Sequence, residues 1–176
     1  MKKVVLTILV VAALVAVMPA KAGSGEIGAD YGRTNFDSNI TSESGTEYAV
    51  RGGWHFTKLF ELEGQYGDSS ASDDVIGDIT MNSMMVNAVF NFHPTNWAVP
   101  YCLGGVGQAK LAVDTPFGNV DDTGSAYQFA VGSRFLFGAT KKAGLRVELS
   151  SMSEDSFDET STHTNFNVGF TWQLGS

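Results

Sequence analysis

Apolar and polar side chains alternate over most of the chain beyond residue 24. The clearest run covers residues 84–92, in which one face carries Met84, Val86, Ala88, Phe90 and Phe92. Successive side chains of a β-strand point to opposite faces, so this period of two predicts a strand with one apolar face. No helical pattern competes with the alternation, and the chain is therefore predicted to be all-β.

Seven other segments show the same pattern. It is clear in residues 48–56, 60–66, 127–135, 145–150 and 165–174, and weaker from about Glu26 to Phe36 and from about Ala98 to Lys110. Eight strands of about 9–11 residues result, which is the length that a tilted strand needs to cross the hydrocarbon core of a bilayer.

The connections between these strands alternate in length. The long ones cover residues 37–46, 67–79, 111–124 and 152–163, and the short ones fall near 57–59, 93–96 and 138–142. A chain that begins and ends on the same side of a membrane produces this rhythm, with tight periplasmic turns and longer external loops. The rhythm predicts an antiparallel, up-and-down order of strands.

The first 22 residues have a different character. Lys2 and Lys3 precede an apolar run over residues 4–17, and the segment ends with small residues at Ala20 and Ala22. This is the pattern of a secretory signal peptide. Because the run is shorter than the 20 or so residues of a membrane-spanning helix, a retained anchor is the less favoured alternative. We predict cleavage after Ala22, a signal peptide over residues 1–22 and a single barrel domain over residues 23–176.

The predicted mature chain is strongly acidic. It keeps 8 Lys and Arg residues against 19 Asp and Glu residues, a net charge near −11. Such a chain is a poor partner for nucleic acid. The acidic residues gather in the long connections: Asp37, Glu43, Asp68, Asp73, Asp74, Asp78, Asp114, Asp121, Asp122, Glu154, Asp155, Asp158 and Glu159.

Charged residues also lie within the strands, on the polar face. An eight-stranded barrel has an interior just wide enough to be filled by side chains, where ions of both signs can pair. The signs nearly balance, which predicts a salt-bridge network in the lumen, with Asp30 and His55 nearby, formed by Arg51, Glu61, Glu63, Arg134, Arg146 and Glu148. Pairing the second strand with the third places His55 opposite Glu61 and Arg51 diagonal to Glu63, within side-chain reach.

Aromatic residues of the apolar face gather near the strand ends. One group lies by the short turns: Trp54, Phe56, Phe60, Phe92, Trp97, Tyr101, Phe135, Phe137 and Trp172. Four tyrosines lie by the long connections: Tyr31, Tyr48, Tyr66 and Tyr127. Two aromatic belts are typical of a barrel whose apolar face meets lipid, whereas a soluble barrel would hold that face inside. The sequence therefore predicts an eight-stranded antiparallel up-and-down transmembrane β-barrel.

Two stretches resemble a known family. Residues 100–107 read Pro-Tyr-Cys-Leu-Gly-Gly-Val-Gly, and residues 126–134 end in Val-Gly-Ser-Arg. They are similar to the Pro-Tyr-x-x-Gly-x-Gly and x-Gly-x-Arg patterns of the small outer-membrane β-barrel family, which includes OmpA-like transmembrane domains, opacity-type proteins and porin-like eight-stranded barrels. The resemblance implies residence in the bacterial outer membrane, contact with its lipid and lipopolysaccharide, and insertion by the barrel-assembly machinery. We expect a monomer.

The chain departs from the family pattern at its end. Family members commonly end on an aromatic residue that the assembly machinery recognises, whereas this chain ends at residues 172–176 with Trp-Gln-Leu-Gly-Ser, where Leu174 would fill that place. Nothing follows that would correspond to the peptidoglycan-binding half of OmpA-like proteins. We therefore expect no tether to the cell wall.

Signals for chemistry are weak in this sequence. Glu159, Ser161 and His163 faintly resemble the cluster of a lipid A-modifying enzyme, but a serine with an adjacent, oriented base is missing. Residues 73–78 lack the ordered ligand spacing of a calcium loop, and Cys102 is expected to be an inert filler on the lumen side. We predict no enzymatic activity, no catalytic residue, no metal site and no cofactor.

Three functions remain open at this point. The leading one is a structural or surface-interaction barrel with a plugged polar lumen and acidic external loops. The second is a narrow porin-like channel for ions or small solutes, in which the lumen charges act as a gate. The third, a lipid A-modifying enzyme, is remote, because function has to be argued from a site rather than from the fold.

Overall fold

A computed structural model describes residues 24–36, 44–73, 77–92, 97–115, 118–156 and 159–174. It contains eight strands: β1 (Ser24–Asn35), β2 (Ser44–His55), β3 (Phe60–Asp73), β4 (Gly77–Asn91), β5 (Ala98–Thr115), β6 (Gly118–Phe137), β7 (Ala143–Ser156) and β8 (Glu159–Leu174). Each strand pairs antiparallel with the next one, and β1 pairs with β8 to close the barrel. The predicted fold class is confirmed. Within the described residues, no helix is long and apolar enough to cross a membrane.

The closing pair, β1 with β8, interlocks side chains from both strands. Asp30 lies opposite Gly169, and Gly32 lies opposite Asn167. A Cβ atom at Gly169 would overlap the Asp30 carboxylate, and one at Gly32 would overlap the Asn167 amide. The two glycines therefore leave room for the polar side chains that face them across this seam.

The strands are longer than the alternation predicts. β3 and β4 stay paired to Asp73 and Gly77, and β5 and β6 to Thr115 and Gly118. The prediction of long loops at 67–79, 111–124 and 152–163 is therefore wrong for most of these residues, while residues 37–43 lie outside the described part. Ser, Thr, Asp and Gly suggested turns, but the segments are paired as strands, and they bury Ile79, Leu111 and Met152 on their inner face.

Two short turns agree with the sequence-based expectation. β2 ends at His55 and β3 begins at Phe60, while β6 ends at Phe137 and β7 begins at Ala143. In the second turn Gly138 has φ of 81°, a left-handed conformation that glycine adopts without steric cost. The turn predicted at 93–96 lies outside the described residues.

The apolar face points outward, as predicted. Met84 is 71% exposed and Phe129 60%, whereas Arg134 and Arg146 are each 1% exposed. A folded protein in water would bury the first pair and expose the second. The arrangement is that of a barrel with hydrocarbon around it and ions within it.

In the first half of strand β5, the residues predicted to face outward face the lumen, and those predicted to face the lumen face outward. Tyr101 and Leu103 are buried in the lumen, at 2% and 1% exposure, whereas Cys102 pairs with the outward-facing Val131. Tyr101 was predicted in the outer aromatic belt and Cys102 in the lumen, and both assignments are wrong. Both faces of residues 98–106 are apolar or glycine, so the alternation carries no information on which side faces out.

The lumen also contains an apolar layer that the sequence analysis did not predict. It lies toward the long connections and consists of buried residues from most strands: Phe36, Ala71, Ile79, Met81, Met85, Ala109, Leu111, Ala126 and Met152. Most of the buried ions lie below it, toward the short turns, whereas Glu154 and His163 are buried at the level of the layer, where the His163 ring meets Phe36. The lumen is therefore not polar throughout.

Candidate functional site

Four ions form a closed ring in the middle of the polar part of the lumen. Arg51 contacts both glutamates, with Nη1 3.0 Å from Glu63 Oε1 and Nη2 2.8 Å from Glu148 Oε1. Arg146 contacts the same two residues, with Nη1 2.6 Å from Glu63 Oε2 and Nη2 2.7 Å from Glu148 Oε2. Signs alternate around the ring, so each charge has two opposite neighbours. The Arg51 Nε also pairs with Asp30 of β1.

The ring joins strands that are far apart in the sequence. Arg51 lies on β2, Glu63 on β3, and Arg146 and Glu148 on β7. All four are at most 6% exposed. Desolvating an ion costs several kcal/mol, which is offset only when charges and hydrogen bonds are matched as closely as they are here.

A second group lies nearer the short turns. Arg134 of β6 bridges two carboxylates, with Nη2 2.6 Å from Glu61 Oε2 and Nε 3.2 Å from Glu26 Oε1. His55 lies between the same carboxylates, with Nδ1 3.5 Å from Glu61 Oε2 and Nε2 3.5 Å from Glu26 Oε2. Glu26, His55 and Glu61 belong to the neighbouring strands β1, β2 and β3, respectively.

Tyr101 connects the two groups. Its ring lies under both guanidinium groups, with the centroid 5.0 Å from Arg134 Cζ and 4.7 Å from Arg146 Cζ. Its hydroxyl donates a hydrogen bond of 2.7 Å to Glu148 Oε2. A cation over an aromatic face is stabilised most where water is excluded, as it is around these buried residues.

The structure thus brings all six residues of the predicted network into the lumen, together with four that the prediction did not include in it. Asp30 and His55 had been noted near the network, whereas Glu26 and Tyr101 were missed. Glu26 could have been found, since Glu26, Gly28 and Asp30 share one face of β1. No comparable signal existed for Tyr101, because neither face of residues 98–106 is polar and could fix its orientation.

Two of the residues considered for catalysis, Ser161 and His163, also face the lumen. His163 is fully buried, with Nε2 3.4 Å from Glu154 Oε1, and its ring meets Phe36 edge-on at 5.3 Å. Ser161 is buried as well. The predicted acidic segment at 73–78 lies outside the described residues over 74–76, and Asp78 is exposed.

We expect Tyr101→Phe to lower the free energy of unfolding by about 1–2 kcal/mol, because a buried hydrogen bond to a carboxylate is lost while the ring remains. Urea titration of the protein in lipid vesicles would measure the change. Tyr66→Phe is the matched control, since its hydroxyl donates a 2.8 Å hydrogen bond to Asn82 on the exposed face. That variant should change stability by less than about 0.5 kcal/mol. Equal losses in the two variants would contradict a special role for the buried tyrosine.

Outward apolar side chains, a closed eight-stranded barrel and a lumen filled with paired ions together define an integral membrane β-barrel. The chain belongs to the outer membrane protein beta-barrel domain family, whose model matches residues 7–173. The protein accordingly resides in the outer membrane. No match is found among the curated proteins.

Solved structures with the same fold are small barrels of that membrane. Neisserial surface protein A superposes with a TM-score of 0.74 at 13% identity, over 86% of this chain and 99% of that one. The attachment invasion locus protein Ail of Yersinia pestis gives a TM-score of 0.60 at 12% identity, over 88% and 100%. The N-terminal β-barrel domain of Pseudomonas aeruginosa OprF gives 0.59 at 18% identity, over 86% and 100%. At these identities the likeness establishes the fold alone.

Proposed function

We propose that this protein is a non-conducting, non-enzymatic barrel that acts at the cell surface through its extended strand hairpins. The observation that carries the proposal is the ring of Arg51, Glu63, Arg146 and Glu148, which joins opposite walls of the lumen. An eight-stranded barrel has little room beyond its own side chains. The ring acts as a static plug, and not as a gate.

The apolar layer supports the same conclusion. Ile79 and Met81 are buried to 1% exposure or less above the charged ring, and Met152 and Leu111 pack in the same cluster. A hydrated ion on its way through the barrel would have to lose water at this layer and then displace matched charges below it. Two barriers of different chemistry therefore lie in series.

The surface role follows from the extended hairpins. β6 runs over 20 residues and β5 over 18, although a tilted strand crosses the hydrocarbon in about 9–11. The excess length lies beyond Tyr66 and Tyr127, which are about half exposed and mark the outer aromatic belt. The long hairpins present a rigid sheet surface to the outside, and a rigid surface loses little conformational entropy on binding.

The charge of these hairpins selects the kind of partner. Ail has been solved in complex with the heparin analogue sucrose octasulfate. In this chain, exposed acidic side chains such as Asp121 and Asp155 lie on the extended hairpins, and Lys110 is already paired with Asp121 at 2.7 Å. Acidic surfaces repel polyanions and attract cationic partners. We therefore propose a partner with a basic surface for this protein.

Planar-bilayer recording tests the plugged lumen. We expect no reproducible stepwise openings from the wild-type protein, and none from Tyr66→Phe, which leaves the lumen intact. Heat-modifiable mobility on a gel would show that each sample is folded. Regular single-channel openings of the wild type that grow in Arg134→Ala would contradict the plug and favour the porin-like channel. Lipid A mass profiles with and without the gene would test the enzymatic alternative.

A further inference from the structure

We propose that Glu26, His55 and Glu61 bind one divalent transition-metal ion of the zinc type at the short-turn end of the lumen. One ligand atom from each residue can be chosen so that all three lie within 4.8 Å of one another. Zinc bonds oxygen and nitrogen at about 2.0–2.2 Å in a tetrahedral arrangement, so its ligand atoms are about 3.4 Å apart. Small side-chain rotations would bring the three groups to that spacing. This proposal departs from the expectation of no metal site.

Unpartnered buried atoms point to a ligand at this position. Arg134 holds one oxygen of each carboxylate, Glu26 Oε1 and Glu61 Oε2. The other oxygens, Glu26 Oε2 and Glu61 Oε1, are buried and accept no hydrogen bond, and His55 Nε2 faces Glu26 Oε2 at 3.5 Å without a hydrogen bond. Leaving such buried atoms unsatisfied is costly, and more so for charged groups. A cation bound by one atom of each of the three residues would lower that cost.

Arg134 is suited to support such a site. Its guanidinium fixes the orientation of both carboxylates from behind, which leaves their free oxygens available to an ion. Metal ligands are commonly oriented in this way by a second set of hydrogen-bonding or charged groups. Gly53 contributes space, because a Cβ atom at this residue would overlap the Glu61 carboxylate.

The charge of the lumen also favours a divalent cation. The connected cluster contains five carboxylates and three guanidinium groups, which gives a formal net charge of −2 when His55 is neutral: Glu26, Asp30, Glu61, Glu63 and Glu148 against Arg51, Arg134 and Arg146. Uncompensated buried charge is costly. One divalent ion would neutralise the cluster.

The ion would have a route to the site. His55 is the last residue of β2, and its side chain is 13% exposed, whereas Glu26 and Glu61 are at most 4% exposed. Access is therefore from the short turns, through the histidine. One imidazole nitrogen and two carboxylates leave a fourth position for water, a ligand set that suits zinc better than calcium or magnesium.

Zinc binding by tag-free, chelator-treated protein refolded in lipid vesicles tests the proposal. We expect wild-type protein to bind one Zn²⁺ per chain with an affinity at least tenfold higher than that of His55→Ala. His163→Ala is the matched control, because it removes a buried lumen histidine that also lies beside a glutamate. This control should bind zinc like the wild type. Calorimetry and elemental analysis would measure affinity and stoichiometry.

Cobalt provides a second readout that surface acids cannot imitate. Co²⁺ bound to a nitrogen and carboxylate oxygens in tetrahedral geometry gives intense visible absorption bands, which we expect from the wild type and not from His55→Ala. Should that variant fail to fold, His55→Gln and Glu26→Gln take its place. Zinc binding of equal affinity in wild type and these variants, no zinc binding by the wild type, or loss of binding in His163→Ala would overturn the site.

Discussion

Replacing Arg146 with alanine is expected to lower the free energy of unfolding by about 3–5 kcal/mol, the cost of breaking a buried ion pair from one side. The guanidinium lies 2.6 Å from a Glu63 oxygen and 2.7 Å from a Glu148 oxygen, and it is 1% exposed. Its removal leaves two carboxylates facing each other with Arg51 as the remaining cation of the ring. Equilibrium unfolding in urea, from vesicles into solution, measures the loss.

The control for Arg146 is an ion pair of similar length at the surface. Lys110 Nζ lies 2.7 Å from Asp121 Oδ2, but both side chains are more than half exposed. Lys110→Ala should therefore change stability by about 0–1 kcal/mol. A loss in Arg146→Ala no larger than that of Lys110→Ala would show that the lumen charges are hydrated in the folded protein, which would contradict the dry ring described above.

Val131→Arg is expected to destabilise the folded protein in a bilayer by about 2–4 kcal/mol, the cost of an arginine on the lipid face near the midplane. Val131 is 47% exposed and lies between Leu149 of β7 and Cys102 of β5, all on the outer face. In a water-soluble barrel the same exposed position would accept arginine with little change, because surface substitutions usually alter stability by less than about 0.5 kcal/mol. Unfolding from vesicles measures the difference.

The same substitution near the edge of the bilayer is the control for Val131. Tyr127 is 55% exposed on the same face of β6, but it belongs to the outer aromatic belt. Tyr127→Arg should cost only about 0–1 kcal/mol, since lipid headgroups and water are within reach of the side chain. Equal costs at the two positions would contradict the depth assigned to β6 in the membrane.

The strand orientation was predictable wherever charge and bulk lie on opposite faces. In β3, Glu61 and Glu63 alternate with Leu62 and Gly64, so only one orientation keeps ions away from lipid. In β5, both faces around Tyr101 are apolar, and its orientation is fixed only by the partners that the closed barrel provides, namely Glu148 and Arg146. Such partners come from β7, which no local pattern in β5 can reveal.

The individual ion pairs of the site could not be predicted from the sequence either. The signs of the strand charges indicated a paired network, but which arginine meets which glutamate depends on the strand stagger and on side chains from opposite walls. Arg51 and Glu148 are 97 positions apart in the sequence and 2.8 Å apart in space. The apolar layer was missed for another reason: Ile79, Leu111 and Met152 lie in segments that were predicted to be solvated loops.

The interlocked seam between β1 and β8 has a consequence for how the barrel comes together. Seven of the eight pairings join strands that follow one another in the chain, so each of these pairs can form outward from the connection between its strands. β1 and β8, by contrast, are the first and last strands and pair only when both ends of the sheet come together. Late encounters of this kind carry the main entropic cost of assembly and are open to slippage. Asp30 facing Gly169 and Asn167 facing Gly32 hold the register of this pair, because a slip by one residue would place Asp30 opposite Val168 or Phe170 and would turn lumen side chains toward lipid. The fit between these side chains and glycines thus selects the correct register when β1 pairs with β8.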